Sequence, residues 1–301
     1  MGTLPGFIAI LMWGLLALLG SQTTSIPAFK LLFICFSISA LIMFGRRLIA
    51  GKPLLQWPAM TAPQWLIGTT GLFGFHLCYF LALKQAPVLE VSLIVYLWPL
   101  LLALFVAQTL QRGKALLGGA LGFAGIVVLL AAKGPIGFSP DALSGYLLAL
   151  LCALIWSGYS AYLAKAPGEI DDIGWLSLLV ALLSLAAHML LEGGQLLQLN
   201  NWQFTPGTWL GAVMLGLGPV GGAFYLWDRG LKQGNRQLLA SLSFSAPLIS
   251  SVALVISGQE NPSSALPVTL ALILLGGWIA NRPQRGDSDT PLPTQIKRSC
   301  E

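Results

Sequence analysis

Long apolar runs alternate with short polar links along almost the whole chain. A membrane-spanning helix needs about 20 predominantly apolar residues. Ten stretches approach that length: Leu4–Gly20, Leu31–Ile49, Trp65–Leu83, Pro87–Thr109, Ala115–Ala132, Leu143–Ala164, Ile173–Leu191, Thr208–Leu226, Gln237–Ile256 and Ala265–Ala280. The links leave no room for an inserted soluble domain. After Asn281 the pattern turns polar and proline-rich, with Pro283, Arg285, Asp287, Asp289, Pro291, Pro293, Lys297 and Arg298. Residues 283–301 are therefore predicted to be a disordered cytoplasmic tail. The fold class is all-α and integral to the membrane.

The fourth run carries the most information. Glu90 lies near its start, Tyr96 and Trp98 lie midway, and Pro99 follows at once. A helix in lipid must satisfy its own backbone polar groups. Pro99 removes one of those hydrogen bonds and crowds the preceding turn. Such a break is tolerated where neighbouring helices or a water-filled cavity satisfy the freed groups, so this helix is expected to line a cavity.

Charge sets the orientation. With a cytoplasmic N-terminus, Arg46, Arg47, Lys52, Arg112, Lys114, Lys165, Arg229, Lys232, Arg236, Arg282, Arg285, Lys297 and Arg298 fall inside, and Lys30, Lys84 and Lys133 outside; that places 13 of the 16 basic residues in the cytoplasm. Cytoplasmic links favour Lys and Arg, so both termini are predicted to face the cytoplasm, in a bacterial-type inner (plasma) membrane. The net charge of +5 does not indicate nucleic acid, because the basic residues are spread between apolar runs. Only 9% of residues are charged and 56% are hydrophobic, against about 25% charged in a soluble domain. Cys35, Cys78, Cys152 and Cys300 show no C-x-x-C or metal-ligand spacing and read as packing residues. The first run lacks a basic leader and a cleavage site and reads as a retained helix.

The halves repeat each other. Leu83-Lys84-Gln85 precedes Pro99 at the same distance as Leu231-Lys232-Gln233 precedes Pro247, and Ile10-Leu-Met-Trp13 matches Ala153-Leu-Ile-Trp156. Residues 1–135 and 140–282 would each hold five spans, and an odd number makes the repeats inverted. Inverted repeats with helices broken at matched positions point to a secondary transporter with its site near the midplane.

These residues also carry a family resemblance. Ten helices in two inverted halves resemble the EamA-type branch of the drug/metabolite transporter superfamily. Glu90-Val-Ser-Leu-Ile-Val-Tyr96-Leu97-Trp98-Pro99 resembles the fourth helix of its YddG aromatic amino-acid exporters, and Ala153-Leu-Ile-Trp156 and Gly234-Asn235 with Pro247 are similar to that group. The resemblance covers residues 1 to about 282. It implies export of small metabolites, aromatic or other neutral amino acids among them, by alternating access.

A cavity for such solutes needs apolar and aromatic walls with a few polar anchors. Tyr79, Tyr96, Trp98, Trp156, Tyr159 and Tyr225 are the candidates, with His76 and Glu90 as intramembrane ionisable groups. Trp156 and Tyr159 share a helix face. Tyr96 and Trp98 lie about 200° apart around a helix, and both face a cavity only if Pro99 distorts the turn. Glu90 suits the helix N-terminal dipole as well as a gate or an ammonium contact. His76 is of a type that titrates near neutral pH, but also suits hydrogen-bonded packing. His188 and Glu192 form an H-x-x-x-E pair without a third ligand, so no metal site is expected. Pro99, Pro219 and Pro247 are candidate helix breaks or gates, and Gly216-Leu-Gly-Pro219-Val-Gly-Gly222, with Gly68, Gly71 and Gly74, should loosen the eighth and third spans. Gly118 and Gly122 form a packing step.

No nucleotide-binding loop, G-x-S-x-G or H-E-x-x-H is present, so neither ATP hydrolysis nor membrane proteolysis is expected, and no cofactor is predicted. With Glu90 counted as the one intramembrane carboxylate, transport is expected to follow the substrate gradient or be weakly coupled to an ion. The expected partners are a small-molecule substrate and the lipid bilayer, with no nucleic acid, and the chain is expected to be a monomer or weak dimer. The same fold exporting organic cations and drugs is the alternative; an integral-membrane enzyme would need a convergent nucleophile or metal set that two distant histidines do not supply.

Overall fold

Prolines and glycines decide where the long helices are interrupted. The computed structural model describes residues 2–193 and 202–282, and contains no strand among them. The predicted tail, 283–301, lies outside the described residues. The helices are α1 (Thr3–Gly14), α2 (Leu16–Gly20), α3 (Ala28–Ile49), α4 (Ala62–Thr69), α5 (Phe75–Gln85), α6 (Val88–Val95), α7 (Trp98–Val106), α8 (Arg112–Ala131), α9 (Leu143–Leu163), α10 (Asp172–Leu191), α11 (Pro206–Leu217), α12 (Gly222–Gln233), α13 (Arg236–Leu242), α14 (Ser245–Ile256) and α15 (Ala265–Ala280). Eight helical runs among the described residues are long and apolar enough to cross a membrane. The first and last predicted spans are shorter helices, Thr3–Gly14 and Ala265–Ala280. The first continues through a bend at Leu15 into α2.

Pro99 falls in the first turn of α7, where a missing N–H leaves no bond unmade. The chain therefore breaks one step earlier, at Tyr96 and Leu97. The second half does the same: α13 ends at Leu242 and α14 starts at Ser245, with Pro247 in its first turn. The third run is interrupted by a π-helical segment, Thr70–Gly74. The eighth is interrupted between Leu217 and Gly222, where Gly218 and Gly221 leave helical geometry. Thr70 precedes Lys84 by the same distance as Gly218 precedes Lys232.

The sequence-predicted eighth span, ending at Leu226, is corrected by the structure: the run extends to Gln233 and takes Asp228 and Lys232 with it. Polar residues hide inside this helix because Tyr225, Trp227, Asp228 and Leu231 are all buried against neighbours.

Helices pack in pairs across the halves: α1 on α12, α5 on α9, α3 on α10 and α8 on α15. The α8–α15 pair is in backbone contact. A Cβ on Gly118 would lie 2.3 Å from the Gly276 carbonyl oxygen, and one on Gly276 the same distance from that of Gly118. Gly276→Val is expected to destabilise the protein by about 1–3 kcal/mol, seen as a lower thermal-denaturation midpoint in detergent. Gly113→Val, where an added Cβ meets open space, should leave the midpoint near wild type.

Candidate functional site

A cavity of about 400 Å³ opens between the halves, within the roughly 300–1,000 Å³ of small-molecule sites. Three tryptophans make its floor. Trp13 of α1, Trp98 of α7 and Trp156 of α9 contact one another edge to face, with centroids 6.1 Å (Trp13–Trp98), 5.6 Å (Trp13–Trp156) and 6.2 Å (Trp98–Trp156) apart. Edge-to-face contact is a favoured geometry for aromatic pairs. Trp227 lies behind them, fully buried, 5.0 Å from Trp13 and 6.0 Å from Trp98. Its indole N–H donates to Ser160 Oγ at 3.0 Å. The Trp13 indole N–H donates to the Pro219 carbonyl at 3.1 Å, so the floor is tied to the interruption between α11 and α12.

Phe75, Tyr79 and Phe224 add aromatic walls, and Ser92 and Ser250 add hydroxyls. Phe75 and Tyr79 are stacked at 6.1 Å. His76 Nδ1 lies 2.6 Å from the Leu72 carbonyl. A carbonyl can only accept, so Nδ1 carries a proton and donates it to Leu72. The cavity leads from the floor to Leu16, Gly20, Ala28 and Leu31, on either side of the link between α2 and α3.

Of the candidate residues, His76, Tyr79, Tyr96, Trp98, Trp156 and Pro219 line this cavity. Tyr96 and Trp98 both reach it because the helix breaks between them. Tyr159 shares a face with Trp156 but lies a turn beyond it, packed behind its ring at 5.7 Å. Glu90 points elsewhere: its Oε1 accepts from the Gly137 N–H at 2.8 Å, fastening the link after α8. Glu90→Gln is expected to loosen residues 134–139, read as faster hydrogen exchange there, with cavity binding unchanged. Tyr225 is buried and donates to the Ser39 carbonyl at 2.6 Å, pinning α12 to α3. Pro99 and Pro247 act through the backbone and do not line the cavity. The His188–Glu192 pair is a capping arrangement: Glu192 Oε2 lies 2.8 Å from His188 Nδ1, and Oε1 accepts from the Phe29 N–H at 3.0 Å, at the start of α3. No group of three or more His, Cys, Asp or Glu among the described residues is placed to hold a metal.

Trp13 was missed by the sequence reading, although the signal was present: its match with Trp156 in the two first-helix motifs places both at equivalent positions. Phe75 and Phe224 gave no such signal.

At the end away from the cavity mouth the chain is closed. Asp171 is buried and pairs with Arg46 at 2.8 Å and Arg47 at 3.4 Å. Gln64 Nε2 donates to the Pro167 carbonyl at 2.8 Å. Here α1 and α12 meet through glycines: a Cβ on Gly230 would sit 2.5 Å from Gly6 Cα, and one on Gly234 2.7 Å from Thr3 Cα.

Comparison with known proteins gives relatives along nearly the whole chain. Residues 143–282 match the EamA-like transporter family. The chain is 42% identical over 287 residues to an aromatic amino acid exporter YddG of Ancylobacter novellus, covering 92% of this chain and 96% of that one. It is 26% identical over 301 residues to the aromatic amino acid exporter YddG of Salmonella typhimurium, covering 93% and 97%. A solved crystal structure superposes with a TM-score of 0.83 at 40% identity, over 93% of this chain and 96% of the other.

Proposed function

This chain belongs to the EamA-type transporters of the drug/metabolite superfamily and is a YddG-like, multi-pass membrane exporter; from that premise we propose that it exports aromatic amino acids across a bacterial plasma membrane by alternating access. The observation that carries the reading is the cavity floor of Trp13, Trp98 and Trp156. A planar side chain would stack or meet those rings edge on. The ammonium would find ring faces; a further acceptor is the carbonyl of Val95, a residue of the cavity lining, which has no i+4 N–H to accept because that residue is Pro99. His76, Ser92 and Ser250 offer the remaining polar contacts.

In this reading α1 with α2, and α15, complete ten spans in two inverted repeats, residues 1–135 and 140–282, with both termini cytoplasmic. The matched interruptions and the pairing of α1 with α12 and of α5 with α9 support it. Basic residues then place Arg46, Arg47 and Asp171 at the cytoplasmic end, so the arrangement is open outward and closed inward. Interconversion would exchange which end the paired helices close, around the floor.

Binding tests the substrate class. Labelled phenylalanine should bind the purified protein, with tryptophan and tyrosine competing at concentrations about two- to tenfold below those of leucine, because one aromatic contact contributes ~0.5–1.5 kcal/mol. Competition by quaternary ammonium compounds but not by aromatic amino acids would replace this reading with export of organic cations.

A further inference from the structure

The sequence reading counted Glu90 as the intramembrane carboxylate and expected little ion coupling, but a second buried carboxylate lies within a span. Asp228 is 3% exposed, within the apolar run Pro206–Gln233. A charge in such a place is expensive, and its presence calls for a function. Lys232, one turn on, reaches it at 2.9 Å and also donates to the Gly168 carbonyl at 3.4 Å. The ion pair thus ties α12 to the link between α9 and α10, at the closed end.

Tyr159 lies on α9, which packs against α12. Its hydroxyl is buried and has no hydrogen-bond partner among the described residues. Its ring rests on Trp156 of the floor. Asp172 is a second carboxylate beside Lys232: a Cβ on Gly168 would lie 2.7 Å from its Oδ2 and 3.5 Å from Lys232 Nζ. α1 and α11 carry no titratable side chain. From α13, Arg236 donates its Nε–H to the Leu231 carbonyl. From α10, Asp172 accepts from the Glu169 N–H at 2.9 Å. On α3, Arg46 and Arg47 are matched to Asp171.

We propose that Asp228 takes up and releases a proton in each transport cycle, so that export is proton-coupled; this rests on the exporter reading above. In the arrangement described, the carboxylate is ionised and, through Lys232, keeps the inner end shut. A proton entering from the cavity side is taken up by the Asp228 carboxylate, which becomes the neutral acid. The neutral acid no longer holds the ammonium, the tie to Gly168 weakens, and α12 is free to swing about Gly218 and Gly221. Once the inner end is open the acid loses its proton to water there. The ion pair reforms as that end closes over substrate. Protons therefore move inward as substrate moves outward.

The test uses full-length protein in lipid vesicles enclosing a pH-sensitive dye, with labelled tryptophan added outside and both fluxes read. Wild type is expected to move protons opposite to tryptophan in a fixed ratio. Asp228→Asn should lower that ratio by roughly tenfold or more, because an amide offers no acid group to exchange a proton, and Asp228→Glu should keep it. Wild-type tryptophan flux without proton flux would overturn the proposal whatever the variants do, and so would Asp228→Asn with the wild-type ratio. Absence of tryptophan flux from folded wild type would refute the substrate reading beneath it, and the coupling proposal with it.

Discussion

Trp156→Ala is expected to weaken tryptophan transport by about tenfold or more, whereas Trp156→Phe retains most of it. The indole touches both other floor rings, Trp13 at 5.6 Å and Trp98 at 6.2 Å, and two wall rings, Phe75 at 5.6 Å and Phe224 at 5.7 Å. Removing it deletes one contact to a bound ring, ~0.5–1.5 kcal/mol, which alone approaches tenfold in affinity. It also leaves Trp13 and Trp98 without the ring that fixes their orientation. The alanine variant loses stability as well, by about 3–5 kcal/mol for a buried aromatic. The phenylalanine variant and a thermal-denaturation control separate the two effects. Half-saturating concentration in a vesicle transport assay is the readout, and an alanine variant with wild-type transport would show that the floor does not hold substrate.

The second large effect is expected from Gly230→Leu. Here α1 and α12 close on each other backbone to backbone. A Cβ at residue 230 would lie 2.5 Å from Gly6 Cα and 2.6 Å from Gly6 N. No rotamer change relieves a collision with backbone, so the two helices must separate at the inner end. A transporter unable to close there cannot complete a cycle. Counterflow is expected to fall about tenfold or more, the cost of overpacking (~1–3 kcal/mol) falling on one state of the cycle. Gly113→Leu, in open space, should transport as wild type does. Wild-type counterflow in Gly230→Leu would mean that this contact is not the inner closure.

Much of the architecture was legible because lipid imposes long apolar runs, and because prolines and glycines interrupt helices by rules that hold locally. The breaks before Pro99 and Pro247 follow from the missing N–H alone. What stayed hidden depends on three-dimensional neighbours. Tyr96 and Trp98 look opposed on an ideal helix and converge because the helix is broken between them. Tyr159 shares a face with Trp156, yet the floor stops one turn short of it. Asp228 escaped notice because four polar or charged side chains in the last two turns of α12, Asp228, Arg229, Lys232 and Gln233, make the sequence look like a link. Burial of Tyr225, Trp227, Asp228 and Leu231 against neighbours keeps the segment helical. Trp13 was within reach of the sequence, since a repeat that implicates Trp156 implicates its counterpart.

The proposed cycle carries an aromatic amino acid between two inverted halves. Counterflow measures that directly. Vesicles holding the purified protein are loaded with unlabelled tryptophan, and labelled tryptophan is added outside at equal pH. Rapid transient accumulation of label is expected, weakened in Trp156→Ala and competed by phenylalanine. No accumulation above protein-free vesicles, from protein shown to be folded, would contradict it.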